Sequence, residues 1–577
     1  MLRLLYLLSV TLVSISLSTS ANTATSTATS NAPSNAPSNA NDTRPNILLL
    51  VAEDMSQHIG AFGDPVAVTP TLDELSAQGT NFRNVFTTSG VCAPSRAALI
   101  TGVHQVKLNA QHMRTKSAIP GLFASGAPVP YDAVPPAEVK AFPELLRAAG
   151  YYTYNVTKTD YQFGNPFTIW DNNSSSAHWR DRPDDGKPFF GMVNFMSTHE
   201  SGLFPQSGFP QSLMHFVTQI ILTIRLWGFD DVVTPDQVEV PPYYPDTPAV
   251  RETLARLQNN IAYMDGEVKT LLTQLEEDGL ADNTIVIFTT DHGDGLPRGK
   301  RSLYDLGIRV PIIVRWPEHL RPADEPAGTW RDDLVSFVDF APTLLKLAGS
   351  TVRDWMDGRV FLGPQTDPAP QYVYSAIDRV DVGQQRTRAV TDGRYKLIVD
   401  FKTDEPPLHR IEFRDHLPMM ADIYAQRDKG GLPQDGGLYD MTRPGRELYD
   451  NTADPHEVNN LWDDPAQQAR AATMEAALQG WLVAMNDHGE PEFDMIKRIW
   501  PGLVQPETAA PQITKTGDGN LHLTSATKGA SIGWRVKDGD WQLYQGPIPA
   551  QSRGEAKLEA KAIRYGYKES AVTTFSE

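Results

Sequence analysis

The hydrophobic pattern of the chain consists of short apolar runs that alternate with amphipathic stretches. Two runs, Asn46–Ala52 and Thr284–Thr290, are continuously apolar or β-branched and are followed at once by acidic residues. Such runs are typical of strands buried in a parallel sheet, where ligands gather beyond the carboxyl ends of the strands. The alternation predicts an α/β domain over 44–370, with helices on both faces of its sheet. The other predicted elements are the strands Phe189–Phe195 and Val310–Arg315 and the helices Thr71–Gln78, Ser95–Thr101, Phe142–Ala149 and Arg251–Glu277.

The pattern changes in the C-terminal third of the chain. Short strands such as Arg394–Asp400, long polar loops and a helix near Ala466–Met485 predict a smaller α+β subdomain over 371–500. Further on, short alternating segments separated by Gly, Asp and Pro predict a small all-β module over 510–577. Such a module either packs against the rest of the protein or binds sugar, and its fold alone does not decide between the two.

The first 43 residues have the pattern of an export signal and a tether. Residues 1–21 combine Arg3, an apolar stretch and small residues at the end, as a secretory signal peptide does. Residues 22–43 are almost entirely Asn, Ala, Ser, Thr and Pro, which predicts a disordered tether. A membrane anchor is the alternative, although the apolar stretch is shorter than the roughly 20 residues that a span needs. We expect an exported protein, periplasmic or secreted, without a stable membrane span.

One internal segment, Leu213–Trp227, is apolar enough that a membrane span has to be considered. It contains His215, Gln219 and Arg225, and it is too short to cross a bilayer. The segment is therefore interpreted as an amphipathic helix, which either covers the core or forms a lid over the cleft.

Charge and cysteine content narrow the function further. The 577 residues include 51 Lys and Arg against 70 Asp and Glu, a formal net charge of −19. This excess argues against a general nucleic-acid binder, since such binding needs cations to neutralise phosphates. With a single cysteine, Cys92, no intramolecular disulfide can form.

Acidic residues stand at the ends of two predicted strands. Glu53 and Asp54 close the first strand, and Asp291 and His292 close the later one. Carboxylates that converge from separate strand ends can supply the oxygen ligands of a hard divalent cation such as calcium. The alternative is that the Asp-His-Gly sequence simply caps a turn.

The segment from Gly90 to Gly102 carries the most specific motif, Cys92-Ala-Pro-Ser-Arg96 followed by Leu-Ile-Thr-Gly. Pro94 and Ser95 predict a helix that begins just after Cys92, so that the cysteine lies near the positive end of a helix dipole. A lone cysteine is otherwise a buried, inert thiol. The motif resembles the signature of the sulfatase family, and the resemblance covers roughly 44–464.

The resemblance implies an alkaline phosphatase-like fold, with a large mixed sheet between helices. It also implies that Cys92 is converted to formylglycine by a maturation enzyme and that one Ca²⁺ is bound, with Mg²⁺ as the alternative ion. Glu53 stands where the family usually has Asp, and it is carried over as a ligand. The implied metal ligands are Glu53, Asp54, Asp291, His292 and the modified Cys92. The implied catalytic residues are Cys92, Arg96, Lys158, His199 and Lys300.

Four further residues are candidate substrate contacts. Asp160 stands where the family has a histidine that contacts the formylglycine diol, although a turn residue would look the same. His104, His112 and Arg114 follow the Cys92 helix closely. Arg114 suits bidentate pairing with a uronic carboxylate. The alternative is that His112 caps a helix and Arg114 is solvated.

The resemblance also implies a mechanism. The metal, Lys158 and Lys300 would neutralise sulfate oxygens, a diol hydroxyl at Cys92 would attack sulfur, and His199 would protonate the leaving oxygen. Arg96 would hold the formylglycine, and the second hydroxyl would then lose its proton and expel sulfate, which regenerates the aldehyde.

The function predicted on this basis is an O-sulfatase that acts on a sulfated oligo- or polysaccharide. The segment Pro241–Pro248 and the following helix favour N-sulfoglucosamine sulfohydrolases and bacterial polysaccharide sulfatases as the nearest members of the family. The alternatives are therefore an N-sulfoglucosamine sulfohydrolase and, outside the family, a phosphatase or phosphodiesterase of the alkaline phosphatase superfamily. An alternative outside the enzymes is a catalytically silent sugar-binding protein.

Overall fold

The structure is a computed structural model that describes residues 44–116, 126–183, 186–549, 552 and 557–576. The signal peptide expected at 1–21 and the tether expected at 22–43 lie outside the described residues. Within the described residues, no helix has both the length and the apolar character that crossing a membrane requires.

Strands and helices alternate up to residue 350, as the hydrophobic pattern predicts. The strands are β1 (Asn46–Ala52), β2 (Thr80–Phe86), β3 (Tyr152–Val156), β4 (Asn172–Asn173), β5 (Phe189–Phe195), β6 (Thr284–Thr290), β7 (Arg309–Arg315), β8 (Thr329–Arg331), β9 (Val335–Ser336), β10 (Val373–Ile377), β11 (Thr387–Thr391), β12 (Tyr395–Asp400), β13 (Arg446–Asp450), β14 (Gln512–Lys515), β15 (Leu521–Thr524), β16 (Ser531–Val536), β17 (Gln542–Leu543), β18 (Leu558–Ile563) and β19 (Thr573–Phe575). The α-helices are α1 (Pro70–Gln78), α2 (Cys92–Thr101), α3 (Phe142–Ala148), α4 (Leu213–Arg225), α5 (Pro248–Glu277), α6 (Asp305–Ile308), α7 (Phe340–Leu347), α8 (Met419–Arg427), α9 (Gln468–Ala484) and α10 (Glu492–Ile499).

The central sheet is mixed, in the order β4-β3-β5-β1-β6-β7-β2-β8, with β9 beside β2. Its middle strand, β1, runs parallel to both β5 and β6, and the register pairs Ala52 with Phe195 on one side and with Thr290 on the other. The three strands therefore end at the same edge of the sheet. β7 is antiparallel to both of its neighbours, β6 and β2, which makes the sheet mixed.

The continuous apolar run in β1 is explained by burial on both faces. Leu48 and Leu50 pack into one hydrophobic core, and Ile47 and Leu49 pack into the core on the opposite face. All seven residues of the strand are buried. The two cores hold the strand ends rigidly, so the residues that follow them are placed with little freedom.

A second, antiparallel sheet follows in the order β10-β11-β12-β13. Helix α9 covers one face of it, where Leu478 and Trp481 pack with Leu397 and Leu448. This is the α+β arrangement expected after residue 371. The predicted boundaries of the domains, 44–370, 371–500 and 510–577, stay predictions.

The C-terminal strands form a two-stranded pair, β14-β15, and a four-stranded sheet, β17-β16-β18-β19. This β module packs against the large domain. The ring of Tyr565 stacks on that of Phe163 with 5.0 Å between their centroids, and its hydroxyl donates to Glu144 Oε2 at 2.7 Å. Lys140 donates to the backbone oxygen of Gly529 at 2.8 Å. One face of the module therefore serves structural packing.

The amphipathic helix predicted near 213–227 is α4, but its orientation is opposite to that of a helix that covers the core. His215, Thr218 and Gln219 are buried, whereas Leu213 and Ile224 are exposed. Among these buried polar side chains, His215 has a partner, with its Nε2 2.9 Å from the backbone oxygen of Pro205.

Candidate catalytic centre

The ends of β1 and β6 bring the predicted acidic residues together. His292 Nε2 lies 3.0 Å from Asp54 Oδ1, and the backbone N–H of Asp54 donates to Asp291 Oδ1 at 3.1 Å. Asp54 has φ of 48°, a left-handed conformation that costs free energy for a non-glycine residue. Strain of this kind persists where the surrounding structure holds a side chain in a required position.

Helix α2 presents Cys92 and Arg96 to these acids. The two residues are four positions apart and so lie on the same face of the helix. The helix begins at Cys92 itself, three positions before the predicted range Ser95–Thr101. Cys92 Sγ lies 3.3 Å from His292 Nε2 and 3.9 Å from Asp54 Oδ1. Ser95 Oγ donates to the backbone oxygen of Asp291 at 2.6 Å, which ties the first turn of the helix to the end of β6.

Three cations pair with the three buried carboxylates. Arg96 donates to Asp291 Oδ2 at 3.0 Å and also pairs with Glu53. Lys158 pairs with the other oxygen of Glu53, and Lys300 Nζ lies 2.6 Å from Asp54 Oδ2. Glu53 is therefore held by two cations, one at each carboxylate oxygen.

Burial and ion pairing shift the pKa values of this cluster in different directions. Burial raises the pKa of Glu53 to about 7, although Arg96 opposes the shift. Burial acts the same way on Asp54, but Lys300 and neighbouring histidines hold its pKa well below the usual range. Burial lowers the pKa of His292, yet Asp291, Cys92 and Asp54 outweigh it and raise that pKa to about 10. The cluster thus strongly favours positive charge at the position of His292.

The same donors fit one hard divalent cation. Ligand atoms of Asp54, Cys92, Asp291 and His292 lie within 4.8 Å of one another, and Glu53, Asp54, Cys92 and His199 form an overlapping group. Carboxylate oxygens are the ligands that Ca²⁺ and Mg²⁺ prefer, and the favoured positive charge at His292 agrees with a cation here. The geometry does not distinguish between these two ions.

His199 and Glu200 follow β5 at the same edge. His199 Nε2 lies 3.9 Å from Asp54 Oδ2, and its Nδ1 lies 2.9 Å from Ser201 Oγ. Burial, together with Lys300 and Lys158, holds the pKa of His199 well below 6.5, although Asp54 opposes the shift. The imidazole is therefore neutral near pH 7.

Sequence reasoning missed Glu200 and its partners. The backbone N–H of Glu200 donates to Asp54 Oδ2 at 2.7 Å, and its carboxylate holds both terminal nitrogens of Arg301 at 2.8 and 2.9 Å. Asn194, another missed residue, accepts from Arg96 at 2.8 Å. For Asn194, the sequence signal was a polar residue inside the otherwise apolar run Phe189–Phe195.

Comparison with known families agrees with this geometry. A model described as "Sulfatase" matches residues 45–350. The chain belongs to the sulfatase family. A second model, described as "N-sulphoglucosamine sulphohydrolase, C-terminal", matches residues 298–429. The predictions of the family and of an enzyme that acts as a sulfatase are confirmed.

Individual relatives extend the match over most of the sulfatase. An ulvan-active sulfatase of Formosa agariphila is 38% identical over 564 residues, covering 92% of this chain and 91% of the relative. The human N-sulphoglucosamine sulphohydrolase is 29% identical, covering 77% and 90%. The solved structure of a 2-O GAG sulfatase has a TM-score of 0.53 at 19% identity, covering 77% of this chain and 93% of the other. This structural likeness confirms the predicted alkaline phosphatase-like fold.

Two of the four candidate substrate contacts lie beside the candidate catalytic centre of the sulfatase. Asp160 Oδ2 lies 3.6 Å from Lys158 Nζ, and the Asp160 side chain is 42% exposed. Arg114 Nε lies 2.5 Å from Asp381 Oδ1, and its guanidinium lies over the ring of Phe413. That ring in turn lies 6.2 Å from the ring of His199.

The structure does not bring His104 and His112 into this group. The buried ring of His104 lies 5.2 Å from the ring of Trp481 in an edge-to-face arrangement. His112 is also buried, with Nδ1 3.9 Å from Glu492 Oε2. Within the described residues, neither ring makes a hydrogen bond or ion pair with the catalytic cluster.

Proposed function

We propose that this sulfatase removes O-linked sulfate from an extracellular sulfated polysaccharide, and that ulvan is the first substrate to test. The observation that carries the proposal is the convergence of Cys92 with three cations and three carboxylates on a single sheet edge. The ulvan-active relative supports the substrate class, because it matches this chain over nearly the full length of both proteins.

N-sulfoglucosamine is the second candidate substrate. The C-terminal family model and the human relative favour it. Both matches are shorter than that of the ulvan-active relative, which spans 92% of the chain against 77%. We therefore place the polysaccharide O-sulfate first.

Cys92 is the proposed site of formylglycine, and its Sγ marks where the hydroxyls of the hydrated aldehyde would lie. The modified residue would supply the nucleophile, and a divalent cation, for which we propose Ca²⁺, would polarise a sulfate oxygen. Asp54, Asp291 and His292 would hold the cation together with residue 92 and Glu53. The modification requires a separate maturation enzyme.

The cations of the chain itself are assigned to positioning and charge neutralisation. Arg96 holds Glu53 and Asp291 in place through buried ion pairs. Lys158 and Lys300 border the cluster from opposite loops, so a sulfate beside Cys92 would exchange part of their carboxylate contacts for its own oxygens. Preorganised cations of this kind stabilise developing negative charge strongly.

His199 is assigned to protonation of the leaving oxygen. Its pKa is low in the free protein because it is buried and faces Lys300 and Lys158. A sulfate ester is anionic and would partly neutralise both lysines, so binding would raise the pKa of His199 and favour its protonation. Substrate binding would in this way favour the protonated form of His199, which is the form that acts as the general acid.

The remaining assignments concern substrate contacts and location. Asp160 would contact a diol hydroxyl from its position beside Lys158, and Arg114 would meet an acidic sugar on the Phe413 side of the cleft. His104 and His112 would affect activity only indirectly, by stabilising the fold. We also propose export by the signal at 1–21, to the periplasm or beyond it.

The proposal is tested by sulfate release from the purified protein, produced with and without a co-expressed formylglycine-generating enzyme. The substrates are ulvan oligosaccharides, N-sulfoglucosamine and an aryl phosphate, and Cys92→Ala is the negative control. We expect maturation-dependent release from ulvan oligosaccharides. Release from N-sulfoglucosamine alone would favour the second candidate, and phosphate release by Cys92→Ala would contradict the mechanism.

A further inference from the structure

A cavity of about 60 Å³ lies beside the loop that carries Lys300. Since one enclosed water needs roughly 10–15 Å³ on this scale, the cavity has room for about four to six waters or for one small oxyanion. Lys300 and Arg301 line it. The same two residues contact the catalytic side, where Lys300 pairs with Asp54 and Arg301 pairs with Glu200. The cavity therefore shares a wall with the catalytic centre.

The lining contains more cations than carboxylates. Arg443 pairs with Asp400 at 3.2 Å. Arg298 and Arg414 have no carboxylate within ion-pair distance among the described residues, and both donate to backbone carbonyl groups instead. Arg298 is 5% exposed and Arg414 is 4% exposed. Arg298 also lies over the rings of Tyr304 and Tyr243, but Nε of both arginines is buried without a hydrogen-bond partner among the described residues, so this pair of guanidinium groups favours an anion.

The second carboxyl group of the lining does not supply that anion. Glu447 accepts hydrogen bonds from the hydroxyls of Tyr304 and Tyr449 at 2.8 and 2.5 Å. Its pKa is raised because burial outweighs these hydrogen bonds. Glu447 is thus already engaged and is shifted towards its neutral form.

His409 is a further polar residue of the cavity, and its Nδ1 lies 3.8 Å from Glu405 Oε2. Its Nε2 is buried and has no hydrogen-bond partner among the described residues. Burial, together with Arg443 and Arg414, lowers the pKa of His409 to about 4. The ring is therefore neutral at physiological pH, and it leaves an unpaired nitrogen beside two guanidinium groups.

We propose that this cavity is a second oxyanion site, which takes a carboxylate or sulfate group against Arg298, Arg414 and His409. The site rests on the proposed function in one respect: its natural ligand is then an acidic group on a sugar near the hydrolysed ester. Free sulfate released by the reaction has the same chemistry and is the other source of a ligand.

Calorimetric titration with glucuronate and with inorganic sulfate tests the site without relying on turnover. Arg414→Gln removes a central cation, and His409→Asp adds a negative charge at a side chain that is 14% exposed and so tolerates change better. Arg410→Gln is the matched control, because Arg410 lies in the same segment and is 63% exposed. We expect both variants to bind glucuronate at least tenfold more weakly than the wild type and to lose one of two sulfate sites. We expect Arg410→Gln to bind both ligands as the wild type does.

The proposal would be overturned if His409→Asp and a folded Arg414→Gln bound glucuronate and sulfate with the affinity and stoichiometry of the wild type. It would also be overturned if the wild type had no second sulfate site. Kinetics then separate the two ligand sources. A sugar ligand predicts that His409→Asp raises KM about tenfold for an acidic ulvan oligosaccharide but not for an aryl sulfate. A product ligand predicts weaker inhibition by sulfate with both substrates. If the wild type turns over neither substrate, the proposed function fails, whereas the titrations still decide the cavity.

Discussion

The contact between the β module and the large domain predicts an effect on catalysis from outside the catalytic centre. Tyr565 is fully buried, and its ring stacks on Phe163 at an interplanar angle of 11°. Phe163 stacks in turn on Tyr161, which directly follows Asp160 and lies three residues after Lys158. Both Asp160 and Gln162 have positive φ values, so this turn needs support from its neighbours.

Tyr565→Ala removes that support. Truncation of a large buried aromatic side chain costs about 3–5 kcal/mol of unfolding free energy. If about a third of this loss falls on the position of Lys158, it amounts to roughly 1.4 kcal/mol, which corresponds to about tenfold in kcat. Tyr565→Phe keeps the ring stack but leaves Ala141 N–H without its acceptor, at a cost of about 1–3 kcal/mol. We expect Tyr565→Phe to retain most of kcat.

The assay is kcat for an aryl sulfate, measured well below the Tm of every variant. Leu523→Ala is the control, because Leu523 is buried in the core of the β module itself, and its truncation costs a similar about 2–5 kcal/mol. Wild-type kcat in Tyr565→Ala, or an equal loss in Leu523→Ala, would refute the idea that the module positions the loop.

Four further predictions follow from the catalytic centre and its surroundings. Cys92→Ala abolishes turnover without unfolding the protein, and peptide mass spectrometry of active preparations shows an aldehyde or its hydrate at residue 92; full activity from an unmodified thiol would contradict this. Chelation lowers both activity and Tm, because a ligand that binds only the folded state stabilises it, and Asp54→Ala is more damaging than Glu53→Asp. Burial lowers the pKa of His104 to about 4. As pH falls from 6.5 to 4, the unfolded chain therefore takes up this proton first and the free energy of unfolding drops by about 3 kcal/mol, a loss that urea titrations should find reduced in His104→Gln. Arg114→Ala lowers kcat/KM for a uronate-bearing oligosaccharide far more than for an aryl sulfate, and equal losses would mean that Arg114 supports the fold.

Some of the residues that converge could be predicted from short-range pattern, whereas Lys158, His199 and Lys300 were carried over from the family resemblance. The apolar runs of β1 and β6 end at Ala52 and Thr290, and a parallel register between neighbouring strands places whatever follows them side by side. The spacing of Cys92 and Arg96 needs only helical periodicity. The strand and helix assignments depend on residues within about ten positions of one another, whereas the pairing of β1 with β6 depends on the expected parallel sheet.

Contacts between distant segments were not predictable in this way. Arg114 meets Asp381, and Glu200 meets Arg301, across separations that no periodicity encodes. Charged residues in polar loops look alike in sequence whether they are solvated or paired. The orientation of α4 was missed for a related reason, because an amphipathic pattern shows that two faces differ but not which one meets the protein.

The charge balance of the catalytic centre links the metal to the substrate. When Glu53, Asp54 and Asp291 are all ionised and His292 is neutral, as metal binding requires, the three carboxylates are balanced by Arg96, Lys158 and Lys300, and the cluster alone sums to about zero. Around it lies a protein of net charge −19, whose distant field repels an anionic polymer. A divalent cation held by the same carboxylates would make the centre positive at short range, where screening is weakest. Metal and sulfate ester would then each increase the affinity of the other, and chelation should raise KM before it unfolds the protein.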